Sequence, residues 1–196
     1  MITTKSNRVV EDSDLLARLA ALDLTAVAVS VTSLDPRTAR LLEHRAPTPA
    51  RRLEAVQKLS EAGIYVHVNI APIVPGITDH EIEAIVAAAA ERGASSISFI
   101  PMRLPHEVAP LFEQWLENHY PDRKAKVMSI VRQMRGGKRN DPAFHSRMRG
   151  QGPWADLIRS RLIIASRKAG LKKGKLALRT DLFRRPQVSG SQLELF

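Results

Sequence analysis

The chain has 196 residues, 44% hydrophobic and 26% charged, with no cysteine. That is enough for one domain, or one domain with an appendage; it excludes disulfides and cysteine-held metal or iron–sulfur centres within the chain, and no apolar run is long enough to span a bilayer. The formal charge of +10 is uneven, because residues 1–131 hold 14 Lys and Arg against 16 Asp and Glu while residues 132–196 hold 16 against 4; the last third is therefore either a polyanion-facing segment, with nucleic acid favoured, or a solubilising basic tail.

In chain order, Met1–Thr4 reads as the end of a strand and Lys5–Arg8 as the loop after it. The N-terminus reads as a strand and helix and not as a signal peptide, and a cytoplasmic location is the default. Asp12 or Ser13 caps a helix to about Leu22, with Leu15, Leu16, Leu19 and Leu22 on one face. Thr25–Thr32 is a second strand. Its Val27, Val29 and Val31 form a bulky face, and Ala28, Ser30 and Thr32 form a small polar one. Pro36 opens a short helix to about Glu43, and Thr48 and Pro49 start another that stops at Gly63. Ile64, Val66, Val68 and Ile70 alternate with Tyr65, His67, Asn69 and Ala71, giving a third strand. Pro72, Pro75 and Gly76 are expected to end it in a stiff loop. Thr78 and Glu81 have capping-box spacing before a helix that runs to Gly93. Ser95–Met102 is the fourth strand, with Ser96 and Ser98 on its polar face and Arg103-Leu104-Pro105 at its end.

Four βα units with short loops predict an α/β fold with a parallel sheet. Three strands have one small or polar face, which favours part of a barrel with a polar lumen over a doubly wound sheet. The reading is the C-terminal half of an incomplete parallel βα, TIM-like barrel (residues 1–105), with an unpaired sheet edge. A helical, basic extension follows (106–185), and then a tail (186–196). Helices are expected from His106, from Pro121 to Met134 before Gly136-Gly137, and from Pro153 or Trp154 to about Lys168, with a basic loop over 138–152. The histidines lack metal-ligand spacing, and there is no HExxH, nucleophile elbow or phosphate-binding glycine loop. His67 reads as structural.

An ordered set of segments carries a resemblance. It comprises Ile2-Thr3-Thr4-Lys5-Ser6, Val29-Ser30-Val31-Thr32, Leu42-Glu43 with Ala46-Pro47 and Arg52-Leu53, Ala71-Pro72-Ile73-Val74-Pro75-Gly76 with Asp79 and Glu81, and Arg103-Leu104-Pro105. It resembles the C-terminal half of radical S-adenosylmethionine (SAM) proteins, in the branch related to spore photoproduct lyase and called DNA-repair-photolyase-like. Trp115, Gly136-Gly137-Lys138, Arg147-Met148-Arg149-Gly150 and the closing Leu195-Phe196 resemble one bacterial subgroup of it. The resemblance implies SAM as cofactor and a [4Fe–4S] cluster on a CxxxCxxC loop. With no cysteine, this chain cannot hold that cluster; it reads as a fragment, a mis-started frame or a truncated relative that begins at the family's third strand. It implies that Lys5 meets the SAM carboxylate, that Ser30 meets SAM polar groups, and that Asn69 and the loop from Pro72 to Gly76 wrap the nucleoside. Glu43 and Arg52 either pair to organise a loop or reach SAM, and the pair is favoured. No catalytic residue is assigned.

Two further features are partner expectations. Arg132, Arg135, Lys138, Arg139, Arg147 and Arg149 flank glycines and suit nucleic-acid phosphates. Gln192, Leu193, Leu195 and Phe196 follow a Pro/Ser/Gly stretch and are similar to the motif by which bacterial repair proteins bind the sliding clamp. The functional expectation is the C-terminal part of a radical SAM enzyme acting on nucleic acid, not competent alone. The alternative is a non-catalytic nucleic-acid-binding or clamp-tethered module.

Overall fold

In a computed structural model, residues 1–144, 146–171 and 176–183 are described. Four strands, β1 (Ile2–Thr4), β2 (Val27–Ser30), β3 (Val66–Ile73) and β4 (Ser96–Pro101), form one parallel sheet in the order β1-β2-β3-β4. Between them run α1 (Ser13–Ala20), α2 (Pro36–Leu42), α3 (Pro49–Glu61) and α4 (Ile82–Glu91); after them come α5 (Val108–His119), α6 (Pro121–Gln133) and α7 (Gly152–Lys168). This is the βα succession that the sequence predicts. It is consistent with part of a TIM-like barrel.

The register turns the alternation in the sequence into two faces. Val27 aligns with Val66, Val29 with Val68, and Val68 with Ile97. Val27, Val29, Val66, Val68 and Ile70 are fully buried beneath the helices, with Val56, Leu59, Ile82 and Ile85. Each such side chain contributes roughly 1.5–3 kcal/mol by leaving water. α7 joins this core through Ile158, Leu162 and Ala165. A second core sits over the C-terminal ends of β3 and β4. There Val74, Ile77, Met102 and Leu104 pack against Phe112, Leu116, Val127, Val131 and Met134 of α5, α6 and the turn after them.

Three local expectations are corrected. Pro72 lies inside β3, which runs to Ile73; the register shifts between Ile70 and Ile73, so the missing proline N–H falls at an irregularity of the ladder. Thr78 and Glu81 do not form a capping box. The Thr78 hydroxyl instead accepts from Val74 N at 2.9 Å, and the Glu81 carboxylate reaches another loop. α1 begins at Ser13, as expected, but a 3-10 stretch, Asn7–Asp12, precedes it, and only Leu16 of the expected apolar face is buried, while Leu15 and Leu22 are exposed. Gly93 does end α4 in the left-handed region, at φ +80, with its carbonyl accepting from Ser60 Oγ.

Candidate functional site

The other face of the sheet carries two polar rows. Thr3, Ala28, His67 and Ser96 are register partners across the four strands. One step nearer the C-terminal ends, Ser30 pairs with Asn69 and Asn69 with Ser98. Lys5 follows Thr4, whose partner is Val29, so it extends the same row beyond β1. The structure thus brings together Lys5, Ser30 and Asn69, three of the four residues expected at SAM. Pro72 lies three residues beyond Asn69 on the same strand, after a cis Ala71–Pro72 bond.

The lower row is satisfied internally. His67 Nδ1 lies 2.7 Å from Ser96 Oγ, His67 Nε2 lies 2.7 Å from Ser98 Oγ, and Ser98 Oγ donates to Asn69 Oδ1 at 3.2 Å. Ser98 has one proton. Giving it to Asn69, it must accept from His67 Nε2–H, which leaves Nδ1 to accept from Ser96. Burial pushes the His67 pKa below its ordinary 6.5 and keeps the ring neutral. His67 is therefore a structural tie, as its solitary position suggested. It also helps to line a cavity of about 500 Å³, bounded by Ser96, Ser98, Ser166 and Arg167 as well as by apolar residues such as Leu162 and Leu171.

The upper row is not spent in this way. Asn69 uses its carbonyl on Ser98, and neither its NH₂ group nor the Ser30 hydroxyl has a partner among the described residues. Lys5 Nζ donates to Glu43 Oε1, and the Lys5 side chain is 45% exposed. Glu43 is a hub at the C-terminal end of the sheet. It also accepts from Thr32 Oγ1 at 2.8 Å and pairs with Arg52 at 2.5 Å. Arg52 is 2% exposed, and it donates to Pro47 O at 2.9 Å and Ser30 O at 3.0 Å. Burial raises the Glu43 pKa, but Lys5, Arg52 and Thr32 outweigh burial and hold the carboxyl below its ordinary value. The favoured reading of Glu43 and Arg52 as an organising pair matches this geometry.

Thr32 and Glu81 position the rim without having been singled out for it. Thr32 Oγ1 also lies 2.9 Å from Ala71 O, tying β2 to the bond before Pro72. Glu81 accepts from Ser33 Oγ and Leu34 N, each at 2.6 Å, and so holds the loop after β2. The only sequence signal was a carboxylate in a helix's first turn, which local capping explained equally well. The loop from Pro72 to Gly76 is packed rather than open: Val74 and Pro75 are buried, and Gly76 O accepts from Arg123 at 2.9 Å.

The basic residues separate into two kinds. Arg135 is 4% exposed and donates to Arg147 O at 2.8 Å and Met102 O at 3.1 Å. It ties the end of α6 to the end of β4 and does not face solvent, so its place among phosphate-facing residues is corrected. Arg132, Lys138, Arg139 and Arg149 are exposed, with Arg139 3.1 Å and Arg132 3.9 Å from Glu113. Arg147 is half-buried, and its guanidinium lies 4.9 Å from the Phe144 ring centroid. Gln192, Leu193, Leu195 and Phe196 lie outside the described residues.

Residues 1–89 match the sequence model of the Radical SAM superfamily. An uncharacterized protein of Mycobacterium tuberculosis (strain H37Rv) is 29% identical over 133 residues, which are 67% of this chain and 39% of that protein. A protein of Acidianus two-tailed virus is 40% identical over 75 residues, covering 38% of this chain and 24% of its own length. One from Methanocaldococcus jannaschii is 25% identical over 122 residues, covering 62% and 44%. The chain thus spans about two fifths of the length of the mycobacterial relatives it matches.

The Radical SAM superfamily implies SAM and, typically, a [4Fe–4S] cluster. The residues present fit the first: an ammonium, a hydroxyl and an amide NH₂ lie in one row at the C-terminal end of a parallel sheet. They do not fit the second. The chain has no cysteine, and no group of three or more His, Asp or Glu among the described residues could hold a metal ion. Nor is any helix among them long and apolar enough to cross a membrane.

Proposed function

We propose that this chain is the SAM-holding C-terminal part of a radical SAM enzyme of the spore photoproduct lyase-like branch, acting on nucleic acid. The observation that carries it is the row of Lys5, Ser30 and Asn69 within the segment that matches the superfamily. Lys5 would answer the SAM carboxylate, with Glu43 holding its ammonium at the rim. Ser30 and Asn69 would take polar groups of the ligand, and backbone near Pro72 would border the nucleoside. SAM, bound and reduced, supplies hydrogen-atom abstraction in this superfamily. The chain has no cysteine to hold a cluster, so its own contribution is binding and orientation. The branch rests on the ordered motifs from Ile2 to Pro105, and the nucleic-acid substrate on the basic excess after residue 131.

Isothermal titration of the purified chain with SAM tests this reading. The expected result is one saturable site that Ser30→Ala with Asn69→Ala weakens by about tenfold or more, as lost hydrogen bonds require. Absence of saturable binding at millimolar SAM overturns it.

A second reading rests on the absence of cysteine together with the basic surface: a non-catalytic, nucleic-acid-binding or clamp-tethered module. A pull-down with the sliding clamp, repeated after deletion of residues 192–196, tests the tether. Binding that survives the deletion refutes it. Titration with SAM separates the two readings, since the module has no need of the cofactor.

A further inference from the structure

The segment after α6 holds an aromatic residue where its composition leads one to expect only charge. Phe144 is 72% exposed. The Arg147 guanidinium lies over its ring, 4.9 Å from the centroid. Side chains of this kind are usually buried, and an arginine laid along one makes a broad, planar, cationic surface.

That surface is fixed in place. Asp141 accepts from Ala143 N at 2.9 Å and from Ser146 Oγ, and Arg147 N donates to Ala143 O at 2.9 Å, so the turn under Phe144 is closed on itself. Arg135 holds the carbonyl of Arg147 and the carbonyl of Met102 with one guanidinium. Gln151 N donates to Met134 O at 3.1 Å, and a side chain at Gly150 would lie 3.4–3.5 Å from Ala155, Met134 and Pro101. The segment is therefore docked on the C-terminal end of β4, the same end of the sheet as Lys5 and Glu43. Exposed Lys138, Arg139 and Arg149 stand in this segment, and Asp141 is its one acid between residues 132 and 150.

We propose that Phe144 and Arg147 form a stacking platform for one unpaired nucleobase, with Lys138 and Arg149 taking flanking phosphates. This rests on the nucleic-acid reading given above and narrows it. A base has two π-faces and stacks on an aromatic ring or a guanidinium with little regard to sequence. Inside a duplex both faces are already covered. The platform is reachable only by a base that is single-stranded or turned out of its helix. The cations alone would bind single and double strands through phosphate without this preference. The platform and the polar row share one end of the sheet, so an unstacked base there stands on the side where the cofactor is proposed to bind.

Fluorescence anisotropy on the whole chain tests this, using labelled single strands of about twelve nucleotides (DNA and RNA) and the matching DNA duplex across a salt series. Phe144→Ala is expected to weaken single-strand binding by about tenfold, leaving duplex affinity and the salt slope unchanged, and Phe144→Trp to restore it. Lys138→Ala with Arg149→Ala is expected to weaken both ligands and to flatten the salt slope by about one to two. Unchanged circular dichroism and melting of Phe144→Ala exclude unfolding as the cause. If Phe144→Ala binds single strands as the unaltered chain does while the double cation variant still loses affinity, the platform is refuted and the nucleic-acid reading stands; Phe144 is then an anchor for a protein. If the unaltered chain binds no nucleic acid at low salt, both fall.

Discussion

Replacing Glu43 by Gln tests the rim most sharply, because one carboxylate serves three partners. Its side chain is 7% exposed and that of Arg52 is 2% exposed. Glutamine keeps the volume and one acceptor for Thr32. It removes the charge that offsets Arg52 and Lys5. Lys5 can turn to water, but Arg52 cannot, and it is left with the Pro47 and Ser30 carbonyls. Orphaning one member of a buried pair costs about 3–5 kcal/mol. The two carbonyls that Arg52 keeps place the loss near the lower end, about 3 kcal/mol, equivalent to a fall of about 6–12 °C in melting temperature for a chain of this length.

The assay is urea unfolding at pH 7 of Glu43→Gln, Arg52→Met and the double variant. In the double variant no orphaned charge remains, so its loss should be smaller than the sum of the single losses. The pH dependence has a definite sign. The folded Glu43 pKa is depressed below 4.5, so its contribution is fully present above pH 4.5 and is lost as pH falls through the folded value. The gap between Glu43→Gln and the unaltered chain should narrow in that window. A loss under about 1 kcal/mol at pH 7, the range of an exposed pair, or strictly additive single losses, would refute the reasoning.

Three other outcomes follow from the same geometry. Glu81→Gln should cost about 2–3 kcal/mol in urea unfolding and speed hydrogen exchange at Leu34 N, since charge-assisted bonds to the loop after β2 are weakened; an unchanged Leu34 exchange rate counts against the clamp. Arg135→Met should cost about 2 kcal/mol by leaving the Met102 and Arg147 carbonyls unpaired; a destabilised chain with an unaltered salt slope for nucleic acid is expected, and a reduced slope would return Arg135 to the phosphate-facing set. The neutral, half-buried His67 makes stability fall as pH drops from 6.5 towards its lower folded pKa, because the unfolded chain takes up the proton first. His67→Gln should flatten that part of the stability curve, and an identical curve would contradict the assignment.

The strands and helices were legible because the periods are clean. The alternation of Val27, Val29 and Val31 with Ala28, Ser30 and Thr32 fixes both faces of β2, and one residue of slip would reverse them. The grouping of Lys5, Ser30 and Asn69 came from motif order; only the register shows that they form a row. Glu81 was misread because Thr-x-x-Glu spacing satisfies local capping on paper, whereas the partner that claims it lies 47 residues away, at Leu34. Arg135 was misread for a similar reason. A charge run looks solvated until the fold reveals that one member sits beneath the loop at the end of β4. Phe144 carried no periodic signal at all. Its exposure and its arginine partner exist only in three dimensions.

The proposed place for SAM is the C-terminal end of this sheet. Amide hydrogen exchange with and without saturating SAM reads its position directly. Bound there, SAM should slow exchange at the end of β1 through Ser6, at Ser30–Ser33 and from Asn69 to Gly76, with 132–150 unchanged. Slowing confined to the cavity wall around His67 and Leu162, or none anywhere, would contradict it.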